Sequence, residues 1–509
     1  MTFRSILRQA GAPQAAGEKP LAPAFAGDIN FDQIIEAVTA GRQEYDLEEF
    51  FHSPLLERDE ILYRQEVMRD LERDDLSACI RTFSARMAAM RAHLRQVEKM
   101  YFQLQKERWF LEAAATYCQA AQDLLRALAG SAPGSRGLRA FQDCLARYVG
   151  GEAFSSLSRE AQRIRKDLDE IRYTVSIKGA TFRVQKYDQE EDYGQAVARF
   201  FEKFKQGAGK DWGARFHEWP VMNQVEEKIL TFVSQLFPEP FSALAQFCAR
   251  HAAFQDGTLQ AFDREVQFYL GYLEFTAPLR QAGLPFCYPE LTRESKESHA
   301  LDFFDLALAH KLVPAKGRVV VNDFRLRGKE RVIVVTGPNQ GGKTTFARAF
   351  AQVHALARLG CPVPGREARL FLFDQIHTHF EQEEATVNLR GKLQDELVRI
   401  HGILAQAGPG SLIVINEIFA ATTWQDATIM AKQVVARILD LDAVCVCVTF
   451  LDELAGLGEG TVSMVSTVEP GDDQVRTFRI VRQPADGLAY ALSLAGRFRL
   501  THGQLLERL

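Results

Sequence analysis

No stretch of this 509-residue chain approaches the 18 or more consecutive apolar residues of a membrane span. The most apolar runs, residues 412–415 and 443–448, have the length of buried strands. The N-terminus carries Arg4 and Arg8 but lacks the continuous apolar segment of a secretory signal, and its Ala, Pro and Gly content over residues 1–27 reads as a mobile arm. The eight cysteines form no CxxC pair and no Cys/His spacing suited to zinc, which leaves them as buried thiols of a reducing cytoplasm. Cys445 and Cys447, two apart in an apolar run, are expected on one face of a strand. Neither sign of charge dominates, because 61 Lys and Arg against 66 Asp and Glu leave a net charge of −5. The surface as a whole does not attract phosphate, so any nucleic-acid contact requires a local patch. No internal repeat stands out.

What is present is the composition of a large folded protein, with 47% hydrophobic and 25% charged residues and enough length for two to four domains. Over residues 28–128 the apolar positions recur at helical spacing, beginning with Phe31, Ile34, Ile35 and Val38. Gly and Pro in residues 130–137 break the pattern before a second helical run reaches about residue 170. The period then changes to two. Tyr173, Val175 and Ile177 alternate with polar residues, Lys178-Gly179 can turn, and Phe182 and Val184 alternate again, as in a β-hairpin. Residues 172–187 hold Arg172, Lys178, Arg183 and Lys186 before any acid appears, a candidate cationic tip for phosphates. A polar stretch at residues 205–213 leads back into helices over 221–281. From about residue 301 the texture is α/β: residues 331–336, 370–373, 412–415 and 443–449 are expected strands of a parallel sheet, separated by helical stretches. The halves divide near residues 289–298, giving a helical core over 28–290 and an α/β domain over 291–509.

Residues 337–344, GPNQGGKT, fit G-x-x-x-x-G-K-[ST] and follow the strand-like VIVV directly. In that context the loop amides converge on phosphates, the helix N-terminus adds its dipole, Lys343 reaches the β- and γ-phosphates of ATP, and the Thr344 hydroxyl ligates Mg²⁺. The expected nucleotide contacts are Gly337, Pro338, Asn339, Gly341, Gly342, Lys343, Thr344 and Thr345. About seventy residues on, the apolar run at 412–415 ends in Asn416-Glu417, where a P-loop protein places a group near the metal and a glutamate that polarises the attacking water. Glu417 and Lys343 are therefore the catalytic candidates, and Thr344 with Asn416 the metal candidates. His377 and His379 lack a third ligand at a recognisable spacing and are read as loop or phosphate-side polar groups.

At these residues the chain resembles the MutS family of DNA mismatch repair proteins, whose P-loop T-G-P-N-x-G-G-K-[ST]-T matches residues 336–345. Residues 321–323, Val-Asn-Asp, resemble the family's segment beside the nucleotide base and assign Asn322 to that role; Gly487-Leu-Ala489 resembles a late family segment, with Asp486 where the family has Tyr. Residues 54–67 resemble the start of its helical core. The resemblance implies a multidomain protein with an α-helical lever and clamp core, the hairpin at 172–187 in the clamp position, and a P-loop NTPase domain of the ABC-type ATPase class. It also implies a cytoplasmic homodimer whose nucleotide sites are completed across the interface and which holds DNA by its backbone and shape. The helical core is expected to follow the N-terminal arm directly, without the family's mismatch-reading and connector domains. Three departures concern hydrolysis: Asn416 stands for an acid, residues 390–393 (RGKL) lack the family's Ser-Thr pair and leave Lys392 as a substitute charge, and Phe450 replaces the histidine after Thr449. They imply slow hydrolysis with nucleotide binding intact, or a non-hydrolysing, nucleotide-gated dimeric interaction module. An SMC-type chromosome ATPase is excluded, because its long heptad arms would separate Lys343 from Glu417. A small P-loop kinase would not need the preceding helical chain.

Overall fold

The computed structural model describes residues 3–9, 20–179, 181–188, 222–381, 391–419, 421–469 and 472–485. Residues 10–19, 205–213, Arg390 and the segment from Asp486 through Ala489 lie outside them. The chain is a mixed helix and sheet protein that separates into two compact units, one of residues 1–77, 133–141 and 261–509, the other of 78–132 and 142–260. The division expected near residue 290 is not where contacts thin out. The helix Arg58–Leu71 and most of Gly257–Gln281 fold with the α/β part, because they bury Ile61, Val67, Met68, Phe268 and Tyr272 there.

The α/β unit is built on a six-stranded sheet in the order Gln375–His379, Ser411–Asn416, Val444–Val448, Val332–Thr336, Thr461–Glu469, Asp472–Arg482. The first five strands run parallel and the last is antiparallel. Val332–Thr336 and Val444–Val448 are buried throughout, which is why they read as unbroken apolar runs. The helices Lys392–Gln406 and Trp424–Asp440 cover one face through Ile400, Ala431, Val435 and Ile438. Cys445 and Cys447 point into that same layer, their thiols pushed up by burial, and all eight cysteines are free. The run at 370–373 does not join this sheet. It forms part of Glu367–Phe371 in a second, four-stranded sheet with Glu290–Thr292, Ser298–Phe303 and Asn322–Leu326, and the polar-looking Gln375–His379 takes the edge position instead.

The expected mobile arm is corrected at its start. Phe3, Ile6 and Leu7 are buried, Glu265 accepts from the Ile6 amide at 2.9 Å, and the carbonyls of Ile6 and Leu7 accept from Tyr269 Oη at 2.6 Å and Arg64 Nε at 2.8 Å. Three apolar side chains and a set of buried hydrogen bonds offset the ordering entropy that an Ala/Pro/Gly-rich sequence suggests would prevail. Further on, the fully buried Gln352 of the P-loop helix Lys343–Ala357 donates to Ile29 O and Asp305 Oδ1 and accepts from the Leu306 amide.

The second unit is helical. Gln103–Ser131, Glu152–Asp169 and Pro238–Arg250 pack through Tyr117, Leu124, Phe154, Ile164 and Phe247. The hairpin pairs Tyr173–Lys178 with Thr181–Lys186, and the helix Gln224–Leu236 lies against its second strand, with the Phe182 and Phe232 rings 5.9 Å apart.

Two buried histidines make the α/β unit acid-sensitive. Burial holds His354, between the rings of Phe350 and Phe373, and His379 down to about 4. A histidine with its folded pKa below the unfolded value of about 6.5 contributes stability that is present above pH 6.5 and lost as pH falls toward the folded pKa. Between pH 7 and 5 each costs about 2 kcal/mol. Urea unfolding at the two pH values is expected to show this loss, and in the His354→Gln/His379→Gln double variant the loss is expected to shrink; an equal loss in the variant would assign the acid sensitivity elsewhere.

Candidate nucleotide site

The P-loop leaves the buried strand Val332–Thr336 and enters the helix Lys343–Ala357 across residues that demand unusual backbone. Gly337, Gln340 and Gly342 have φ of +113°, +60° and +89°. At Gly341 the constraint is space, since a Cβ there would lie 2.2 Å from Ser466 Oγ, which donates to the Gly341 carbonyl at 2.6 Å. Ser466, on the neighbouring strand Thr461–Glu469, thus backs the loop.

Lys343 is nearly buried, and its ammonium is occupied by the loop itself. Nζ donates to Gly337 O at 2.8 Å, Pro338 O at 3.1 Å and Asn339 Oδ1 at 3.4 Å, and it sits 4.6 Å from the centre of the Phe450 ring. Burial lowers its pKa, the Glu417 carboxylate opposes that, and the Arg476 guanidinium adds to it. The Thr344 hydroxyl donates to Asn416 Oδ1 at 2.8 Å. Asn416 ends its strand, and Glu417, at φ +59°, is fixed by its amide donating to Val448 O at 2.9 Å. That left-handed residue turns the chain so that Glu417 lines the cavity beside the P-loop.

The cavity measures about 450 Å³. Asn339, Gln340, Gly341, Gly342, Lys343, Thr344, Thr345 and Glu417 form its polar end, and the rest is lined by Leu308, Leu312, Val319, Val320 and Phe478 together with Asp305, Arg318 and Asn322. The sequence-derived residues therefore converge, with two refinements. Gly337 and Pro338 act through their carbonyls on Lys343. Asn322 lines the cavity, yet its amide is spent holding the strand Asp472–Arg482: Nδ2 donates to Phe478 O at 3.2 Å and Oδ1 accepts from Ile480 N at 2.7 Å. Sequence reasoning missed Gln340, which fills a variable position of the P-loop motif, and Ser466, Arg476 and Phe478, which carry no motif. A charged or aromatic residue two apart in a β-rich run is a signal only once its neighbour strand is known.

The oxygen donors fit Mg²⁺. A hydroxyl and an amide oxygen sit within hydrogen-bond distance of one another beside a carboxylate, a set that suits a hard cation retaining water and completed by phosphates. His377 instead meets Gln375 Oε1 at 3.1 Å and His379 is buried, and among the described residues no group of three His, Cys, Asp or Glu is placed to hold a metal. Lys392 begins its helix paired with Glu381 and is not among the residues lining the cavity.

In the other unit the hairpin cations do not form one patch. Strand alternation puts Lys178 and Arg183 on one face and Lys186 on the other, where its ammonium lies 5.2 Å from the Phe237 ring. Arg172 folds back to donate to Asp169 O at 2.6 Å and Ile171 O at 3.1 Å.

Residues 333–495, which hold the P-loop, Glu417, Ser466 and Arg476, match the family described as MutS domain V. Over this segment the chain is similar to the MutS family. The DNA mismatch repair protein MutS of Shouchella clausii is 31% identical over 188 residues, 36% of this chain and 22% of that protein. The MutS protein of Brevibacillus brevis is 26% identical over 280 residues, 53% of this chain and 31% of that protein, and msh3 of Botryotinia fuckeliana is 31% identical over 131 residues, 26% and 12%. The chain thus covers less than a third of the length of each of these relatives. The MutS domain V match takes in the polar end of the cavity and Phe478, while Leu308, Leu312 and Asn322 lie before it. Among the described residues no helix is long and apolar enough to cross a membrane.

Proposed function

We propose that this chain is a MutS-like, cytoplasmic, DNA-binding ATPase that works as a homodimer in DNA repair or recombination, with ATP binding and slow hydrolysis opening and closing a DNA clamp without direct mismatch reading. The observation that carries it is the junction of Lys343, the Thr344–Asn416 pair and Glu417 at a cavity of about 450 Å³.

Lys343 exchanges its loop carbonyls for the β- and γ-phosphates of ATP, relieving the burial cost that its lowered pKa records. Thr344 and Asn416 would hold Mg²⁺ directly or through its water, and the ion would supply charge neutralisation along the phosphates. Glu417 Oε accepts the proton of the attacking water. Asn416 contributes no charge and Phe450 no proton, which sets the slow rate. Lys178 and Arg183, on the same exposed hairpin face, meet the DNA backbone.

Steady-state and single-turnover hydrolysis with and without plain and branched duplex DNA tests this. Slow turnover that DNA accelerates is expected, reduced about 100-fold or more by Glu417→Gln with ATP binding retained, and Lys178→Glu/Arg183→Glu is expected to remove the acceleration and the salt-dependent DNA binding. Tight ATP binding with no turnover and no DNA binding would replace this reading with a nucleotide-gated dimeric interaction module, which the neutral Asn416 and Phe450 favour.

A further inference from the structure

The strand Asp472–Arg482 runs along the P-loop in step with it. Arg476 Nε donates to the carbonyl of Asn339 at 3.3 Å, and two residues on, Phe478 packs over Gly342, where a Cβ would lie 3.6 Å from Phe478 Cδ1. The order along the strand thus follows the order along the loop. Asn339 is also the residue whose side chain touches the Lys343 ammonium, so Arg476 and Lys343 approach opposite ends of one residue. Asn339, Gly342 and Phe478 line the cavity there, and Arg476 stands against Asn339 without itself lining it. Half-buried Arg476 is close enough for its charge to act on Lys343. Lys343 in the lining and Arg476 against the Asn339 carbonyl bring two cations to the loop, where Glu417 and Asp305 are the carboxylates lining the cavity, and this suits the terminal phosphate of a nucleoside triphosphate.

We propose that Arg476 is a catalytic residue supplied in cis, whose guanidinium contacts the γ-phosphate and stabilises the charge that develops on it during transfer to water. In that step the bond from the γ-phosphorus to the bridging oxygen breaks, water supplies the new P–O bond, its proton passes to Glu417, and ADP leaves with the electron pair. The assignment rests on the ATPase reading above. Its anchor on Asn339 fixes the planar donor at the loop, which a flexible lysine ammonium does less well.

The test compares the affinities of the full-length protein for Mg-ADP and for a non-hydrolysable ATP analogue, together with single-turnover hydrolysis, in wild type, Arg476→Ala, Arg476→Lys and Lys343→Ala. Arg476→Ala is expected to weaken the triphosphate analogue about 10-fold and to slow hydrolysis about 100-fold, with ADP affinity within about 2-fold of wild type and Arg476→Lys intermediate. Equal losses for ADP and the analogue would make Arg476 a strut of the loop, and unchanged values would remove it from the site; both overturn this inference while the ATPase reading stands. Wild-type protein that binds neither nucleotide would overturn both, and Lys343→Ala reports whether binding in wild type is through the P-loop.

Discussion

Lys343→Ala is expected to lower affinity for Mg-ATP by about 100-fold or more while leaving the stability of the ligand-free protein within about 1 kcal/mol of wild type. Two effects oppose one another in the empty site. The ammonium gains three loop acceptors, but it is buried, and burial dominates the shift in its pKa. A lysine whose folded pKa lies below its unfolded value costs stability while it is charged, so removing it is close to neutral for folding. With nucleotide present the balance reverses, because phosphate oxygens accept charge-assisted bonds that carbonyls cannot match. Calorimetric titration with ATP and thermal unfolding of the same preparations separate the two. An affinity loss under 10-fold would mean that the loop amides and the helix N-terminus hold the phosphates almost unaided. A fall of several kcal/mol in stability would make Lys343 a structural strut.

Arg64→Ala is expected to destabilise the α/β unit by about 3 kcal/mol or more, an effect on folding where Lys343→Ala has its effect on binding. Its guanidinium is wholly enclosed, donating to Leu7 O at 2.8 Å and to Leu359 O at 3.2 Å and lying 5.4 Å from the Phe268 ring centre, and burial lowers its pKa. Truncation leaves two buried carbonyls without their donor and a cavity where the stem packed. Next to it, Gly360 has φ +75° and approaches so closely that a Cβ would come within 2.6 Å of Arg64 Cβ. Urea unfolding measures the loss, and hydrogen exchange at the Ile6 and Leu7 amides shows whether the N-terminal segment detaches first. Arg64→Lys is not expected to rescue, since one ammonium on a flexible stem does not reproduce the fork. A loss below 1 kcal/mol would show that water replaces the guanidinium at both carbonyls.

These two side chains mark the limits of what was legible in the sequence. Lys343 stands inside a motif whose spacing, preceding strand and following helix are local, and the local arrangement is what the structure contains. The same holds for the hairpin, where alternation and a Lys-Gly turn act over few residues. Arg64 sits in an ordinary-looking helical run, and its partners lie 57 and 295 residues away. Gln375–His379 was hidden for another reason: an edge strand alternates polar and apolar residues, and its two histidines drew attention as ligands. The loop-backing contacts of Ser466, on the fifth parallel strand, and of Arg476 and Phe478, on the antiparallel strand beside it, depend on the order of strands in the sheet, which no periodicity encodes.

The closeness of Gly341 and Ser466 bears on how this sequence can drift. A side chain at 341 would occupy the place of the Ser466 hydroxyl, and anything at 466 bulkier than serine would press on the loop from behind. Two positions 125 apart in the chain therefore share one volume. Random substitution at either is tolerated only within a narrow size class, and a library that varies both together should recover functional pairs only when 341 stays glycine and 466 stays at or below the size of serine.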